Sequence, residues 1–569
     1  MFEERPSPIV APAATADKLP RMALLALLVI YIIPGLLSRD FWSSHELESF
    51  AVISSMLSGG IIDWLLPHID GVQYVKNGPL SMWVGALFAK LFGWLFGEDS
   101  ASRLSVLVWF AIATSSIWYG TWYVARRAEA QPVVLAFGGE ASPRDYGRVV
   151  SDAALLMFVG TFGLFVPIRQ LFVDMALLAI VALFYFSLTW SFRRSQLGPL
   201  LTGATAGAAV LCADLFTGVI MLAVALLLHA RVHAYDTPFI SRSTLIIVAA
   251  AAVFFAWPVV TVGFAIETID AWFATWWETQ LAVFGLMRAR EAFWSIENFI
   301  WFLWPVWPFA LLSIYAFRKQ IGRTHIKIAL WTFGGFLIFS IFGNVTGERY
   351  LTLLTPGLCV LAAFGLMSTR RSWANILDWF SATVFTIALL TIWGYFIAWL
   401  TGFPPKMQKS IFNLAPGVDP SLHGLLFVLC FVTFLAWITL VLWRMNRSQV
   451  MAWKGPWLAA AGVTALSITT VYLFEPAIDN ARSFEPVAQS AQVDFAALAP
   501  KGQCISTTTL TPVQKMTFKY YGLALSNNSH CRWYFEAQRE LENPVPEHRI
   551  AGTYSRPRDG NHFILIKPE

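Results

Sequence analysis

His45, Glu46 and Glu48 stand within four positions of one another in FWSSHELESFAV (41–52), just after the first long apolar run of the chain. A carboxylate in such a place can take a proton, an imidazole can tune it or replace it, and a charge beside hydrocarbon is costly enough to call for a use. Ser43 followed by Glu46 also has the spacing of a capping box, so Glu46 reads either as the cap of a surface helix starting near Ser44 or as a base. Glu48 reads as a solvated neighbour. A second acid, Asp174 in PIRQLFVDMAL (167–177), follows a turn and opens an apolar run, where it is either a helix cap or a second carboxylate of the same chemistry. Lys76, Arg169, Arg288, Arg290 and Arg349 are the cations that can meet an anionic group, with Tyr74 and Tyr350 as hydroxyl donors. The plainer reading of each cation is a contact to lipid headgroups or to a helix end.

The elements that must carry these residues follow from composition. Of 569 residues, 57% are hydrophobic and only 13% charged, with 26 Trp and 46 Phe, which implies a polytopic α-helical membrane protein rather than a soluble core. The net charge of +5 is small and unevenly spread, so it bears on orientation; no nucleic-acid motif is present, and membrane lipids rather than nucleic acid are the expected surroundings. A polar tail (1–21) precedes MALLALLVIYIIPGLL, which lacks a small-x-small cleavage site and reads as a retained anchor with a cytoplasmic amino end.

Fourteen apolar runs approach the ~20 residues that a span needs. Leaving out 79–96, which begins at Pro79 and carries Lys90, places Arg126/Arg127/Arg144/Arg148, Arg193/Arg194, Arg231/Arg242, Arg318/Lys319/Arg323/Lys327, Arg370/Arg371 and Arg444/Arg447/Lys454 on the side of Lys18 and Arg21. The expectation is about thirteen spans over 22–475, a first external loop (38–100) with juxtamembrane helices, and a small external α/β or α+β domain over 476–569. That tail holds strand-like CISTT and HFILIK around a helical TPVQKMTFKYYGLAL. Cys504 and Cys531 within it read equally as a disulfide or as two free thiols, whereas Cys212, Cys359 and Cys430 read as small core residues.

The first loop contains FAVIS, ML, DW, P, G, Y and PL..W in that order, PIRQLFVDMAL sets Arg169 before Asp174, and GERYLTLLTPGLCVLAAFGL (347–366) sets Arg349, Tyr350 and Pro356 together. In this order they resemble the membrane-embedded glycosyltransferases that use polyprenyl-phosphate sugars, the GT-C class that includes the lipid A aminoarabinose transferases and the protein O-mannosyltransferase-like enzymes. The resemblance covers the first loop well and the spans loosely. It implies an inner-membrane enzyme, expected to act as a monomer on the periplasmic side, that moves a sugar with inversion from an undecaprenyl-phosphate donor to lipid A or lipopolysaccharide, another envelope glycan, or a protein. For that transfer the expected catalytic residues are Glu46, Asp174 and His45; Lys76, Arg169, Arg288, Arg290 and Arg349, which the topology places outside, with Tyr74 and Tyr350, are expected around the donor phosphate, and of the cations Lys76 and Arg349 sit within the resembled segments. His45-Glu46 or Glu46-Leu47 replaces the family's leading Asp-Glu pair, and Lys76-Asn77 replaces a Glu-Lys whose Glu can help hold a metal. An ammonium has no lone pair to donate, so no cofactor is expected with certainty and a divalent metal is in doubt. Two other readings are a transporter or flippase of a lipid-linked glycan, and a ligase or oligosaccharyltransferase using a pyrophosphate-linked donor. The first would place charges inside the spans and show repeated halves, and no internal repeat is found.

Overall fold

The computed structural model describes residues 7–568 except 38, 172, 233–237, 265–268, 345–346, 370, 421–423, 446–450, 501, 527–529, 542–544 and 558–559. Within lipid no water is present to satisfy backbone amides, so the long apolar runs close their hydrogen bonds internally as helices. Among the described residues seven helices are long and apolar enough to cross a membrane, or nine if the bent pairs Pro143–Val159 with Phe162–Arg169 and Ala289–Phe302 with Val306–Ala316 each count once. Five shorter apolar helices accompany them: Arg21–Ile32, Leu80–Phe96, Leu197–Cys212, Leu215–Arg231 and Thr324–Ile338. The expected thirteen spans need four of these five, all but Leu80–Phe96. Gly347–Ser368 and Val173–Trp190 form the inner helices, with 94% and 83% of their apolar windows buried, whereas Gly424–Met445 buries only 11% and turns its leucines and valines outward. Close approach of Leu197–Cys212 to Phe239–Phe264 depends on Gly203 and Gly207, where an added Cβ would run into the Ile246 and Ala250 carbonyls.

Contacts gather most of the basic clusters at one end of the bundle. Arg21 pairs with Asp152 at 2.6 Å, Arg323 donates to the Glu129 carbonyl at 2.7 Å, Lys327 to the Arg231 carbonyl at 2.6 Å, and the Trp453 indole to the Asp17 carbonyl at 3.1 Å. Arg444 pairs with Asp378. Arg370 and Arg447 lie outside the described residues.

The first loop and the carboxyl-terminal region meet at the other end. Ser43 caps helix Ser44–Ser58 by accepting from the Glu46 amide at 3.2 Å, and helix Leu80–Phe96 packs beneath it, with no room for a side chain at Gly85 against Ile53. The helix Lys454–Arg482 runs on through Pro476 before the carboxyl-terminal unit begins with Glu485–Leu498. There the strands lie in the spatial order Ile505–Ser506, Trp533–Ala537, His562–Ile566, Ile550–Ser555; the first pair is parallel and the others antiparallel. Helix Pro512–Tyr520, within the segment read as helical, opens with a Thr511/Gln514 capping box and packs Phe518 against Phe535 and Phe563. Cys504 and Cys531 form a disulfide, which decides between the two readings of that pair, and Cys212, Cys359 and Cys430 are buried thiols.

This unit is clasped to the first loop. Lys519 pairs with Asp70 at 2.8 Å, Tyr520 meets the Phe50 ring edge-on at 4.8 Å, and Asp40 accepts from the Tyr521 and Ser483 hydroxyls. Burial, helped by the charges of Asp479 and Glu485, outweighs the hydrogen bonds to the Asp40 carboxyl and lifts it to about 6. A carboxyl raised by folding holds its proton in the folded state over a range where the unfolded chain has lost it, so stability falls as pH rises from about 4 to about 6. The purified protein should therefore unfold thermally at lower temperature at pH 7 than at pH 5, by the equivalent of about 1 kcal/mol. Asp40→Asn should flatten that slope, and an unchanged slope would mean that Asp40 does not control it.

Candidate active site

Three charged groupings lie at this end. In the first, Arg39 Nη2 and Nη1 donate to the two Glu46 oxygens at 2.6 and 2.9 Å, while the Leu171 and Trp42 amides donate to the same carboxylate at 3.0 and 3.2 Å. Glu46 is 0% exposed. Burial alone would raise its pKa, but the charge and hydrogen bonds of Arg39 prevail and hold it below the ordinary glutamate value. Arg39 is in turn raised: the Glu46 charge overcomes the desolvation that would lower it. A carboxylate with four donors and no exposure is a poor base. The Glu46 side chain closes no capping box; buried and fully partnered, it ties the start of the loop helix to Arg39 and to the Leu171 amide.

The second grouping is built from four connections. Asp174, in the first turn of Val173–Trp190, accepts from Arg349 Nε at 2.5 Å, and Asp214 Oδ2 lies 3.5 Å from Arg349 Nη1. Asp214 Oδ1 caps Leu215–Arg231 through the Thr217 amide and hydroxyl at 2.7 and 2.8 Å. Arg349 Nη2 also donates to Asn77 Oδ1 at 3.1 Å, and Asn77 Nδ2 donates to the Tyr74 hydroxyl at 2.7 Å. Burial pushes the Tyr74 phenol well up, keeping it protonated. At Gly78 a side chain would strike the Leu211 carbonyl, so this turn of the first loop seats directly on the end of Leu197–Cys212. Arg349 thus has its charge shared between two carboxylates.

The third grouping opens to solvent. Lys76 Nζ donates to both Glu48 oxygens at 3.1 and 2.8 Å, and His45 Nδ1 lies 3.9 Å from Glu48 Oε2. Glu48 is 19% exposed in its side chain and Lys76 55%. Burial raises the Glu48 pKa less than His45 and Lys76 lower it, so it is ionised at neutral pH. Glu48 also lines a cleft of about 460 Å³ between the loop helix and the carboxyl-terminal unit. Of Glu46 and Glu48, it is Glu48 that borders open space. An ammonium on this carboxylate does not fit a divalent cation, and no three metal-ligating side chains gather among the described residues.

The remaining predicted residues separate. Arg169 is buried and gives its donors to the Tyr31 and Phe165 carbonyls. Tyr350 is buried in the core beside Arg349. Arg288 and Arg290 are exposed at the start of helix Ala289–Phe302, and among the described residues neither has a hydrogen bond or ion pair with these groups. Their neighbour Glu291 does reach the site's frame, accepting from the Gly347 amide at 3.0 Å at the start of the helix that bears Arg349. Arg39, Glu48, Asn77 and Asp214 are the residues that reading the sequence alone did not select.

No family model matches the chain. The undecaprenyl phosphate-alpha-4-amino-4-deoxy-L-arabinose arabinosyl transferase of Aeromonas salmonicida (strain A449) is 34% identical over 103 residues, 17% of this chain and 18% of that protein. A protein of the same name from Yersinia enterocolitica serotype O:8 is 21% identical over 417 residues, 68% of each chain. The chain spans less than a fifth of the length of the first three curated relatives it matches. Among solved structures it is similar to ArnT from Cupriavidus metallidurans bound to undecaprenyl phosphate, with a TM-score of 0.65 and 14% identity over 96% of this chain and 97% of that one. The apo form of that protein aligns over the same shares at 16% identity. From the first loop to the carboxyl-terminal unit, the chain has the GT-C fold in the form that ArnT takes.

Proposed function

We propose that the protein is a membrane glycosyltransferase that transfers a sugar from a polyprenyl phosphate, of the undecaprenyl kind, to a hydroxyl-bearing acceptor of the cell envelope such as lipid A, another glycan or a protein. One observation carries the reading: Glu48, which lines an open cleft, is paired with Lys76 and has His45 nearby, within a fold shared over nearly its whole length with an undecaprenyl-phosphate-bound structure. Glu48 takes the acceptor proton as the acceptor oxygen bonds to the anomeric carbon. The bond from that carbon to the phosphate oxygen breaks, and its electron pair leaves on the lipid phosphate, which Lys76 receives with His45 beside it. A single displacement inverts the anomeric centre. When Lys76 turns to the donor phosphate, Glu48 loses a counter-charge and becomes more basic, so donor binding itself prepares the base. Asp174, Asp214 and Arg349 are positioning residues that hold, through Asn77, the Tyr74–Asn77 turn that carries Lys76.

The side chosen is the periplasmic face of the inner membrane, supported by the basic clusters at the opposite end and by a disulfide in the carboxyl-terminal unit. A flippase is less favoured, because the paired charges sit where helices begin and in loops rather than along a path through the spans. Mass spectrometry of envelope glycolipids and glycans should show one sugar modification missing from a deletion strain and restored by the wild-type chain. Identical products in the two strains would remove the enzyme reading. Asp174→Asn should lower turnover by about 10- to 100-fold with an unchanged melting temperature within a few degrees, because Asn can still accept from Arg349 but no longer balances its charge. Wild-type turnover would leave Asp174 a role in helix start alone.

A further inference from the structure

The cleft beside Glu48 has a second wall that the transfer chemistry does not use. On the loop side stand Ser43, Ser44 and Glu48; on the other stand Arg482, the last residue of Lys454–Arg482, and Arg556, just after strand Ile550–Ser555. The Arg556 guanidinium lies 3.8 Å from the Phe484 ring centroid and donates to the Arg482 carbonyl at 2.8 Å. It is therefore held in place before any ligand arrives, and a pre-set guanidinium loses little entropy on binding. Arg482 is exposed, so two positive charges from different elements border a volume of about 460 Å³, which suits a sugar-sized ligand. The clasp through Asp40 and Asp70 fixes the distance between the walls.

We propose that this cleft is the acceptor site, and that the acceptor is a sugar headgroup bearing an anionic group, phosphate or carboxylate, which Arg556 and Arg482 hold while a hydroxyl meets Glu48. This rests on the transferase reading and adds the acceptor's chemical class and the carboxyl-terminal unit's part in choosing it. Guanidinium pairs with either anion through two parallel hydrogen bonds, and the serines on the facing wall supply hydroxyls for the neutral part of the sugar.

Equilibrium dialysis of the full chain in phosphatidylcholine nanodiscs, with labelled glucose 6-phosphate, glucuronate and glucose, tests the proposal without the donor. Either anionic sugar or both should bind about tenfold or more tightly than glucose, and which of them does separates phosphate from carboxylate. Arg556→Gln and the exposed-site variant Arg482→Gln should each remove most of that preference, Arg556→Lys should keep part of it, and undecaprenyl phosphate should bind all of them as it binds the wild type. Equal binding of the three sugars, or a preference unchanged in both glutamine variants, overturns the proposal. In phosphatidylglycerol nanodiscs the affinities should hold; a tenfold loss there would assign the arginines to bilayer headgroups and also overturn it. Absence of transfer from any polyprenyl donor defeats the transferase reading instead, whatever the dialysis gives.

Discussion

Glu48→Gln is expected to lower turnover by about 10²- to 10⁴-fold, the usual worth of a placed general base, while the donor lipid phosphate binds within about threefold of wild type. The amide has the shape of the carboxylate but cannot take the acceptor proton. It also leaves Lys76 without its partner, and a free ammonium should grip the phosphate at least as well as before. The expected signature is therefore a fall in kcat with KM for the donor level or lower. Measured in nanodiscs with a polyprenyl-phosphate sugar, a variant of near wild-type kcat would exclude Glu48 as the base. A rise in donor KM alone would instead make it a binding residue.

The second large effect concerns folding. Glu46→Leu should destabilise the protein by about 3–5 kcal/mol, because it leaves the Arg39 guanidinium buried without its counter-ion. Arg39→Met should do comparable damage by stranding the Glu46 carboxylate, whereas the double replacement Arg39→Met with Glu46→Leu should recover much of the loss, since neither charge then remains to be desolvated. Thermal unfolding of the four proteins closes the cycle, and additive losses would show that the pair does not act as a unit. Turnover per folded molecule should stay near wild type in the double variant. A collapse of turnover in that folded variant would return Glu46 to the catalytic group from which its burial removes it.

Glu46 and Glu48 show what was legible and what was not. Two residues apart on a helix, their side chains face opposite ways. Glu46 shares a stripe with Phe50 and Ile53, both buried, so its inward orientation was already written in the spacing of the apolar residues. The Ser43/Glu46 spacing speaks only for a cap, and no local pattern says that Glu48 borders the cleft. The spans, the strands around 505 and 562 and the helix after Thr511 followed from periodicity and caps, which are local properties. Arg349 meeting Asp174, Asp214 and Asn77 is different in kind: four parts of the chain converge, and no local pattern announces which distant acid a guanidinium will find. Arg39 was overlooked because a cation at the edge of an apolar run reads as a headgroup contact, although its partner stands only seven positions away.

Asp40 and Asp70, made early in synthesis, find Tyr521, Ser483 and Lys519 only when the ribosome has nearly finished. The first loop must therefore wait, with Asp40, Asp70 and the Phe50 ring uncovered, until every later helix has been made. Shortening the chain before residue 519 would remove the partners of its opening segment rather than a dispensable appendage, and such truncated chains should be degraded or captured by chaperones even with all their membrane helices present.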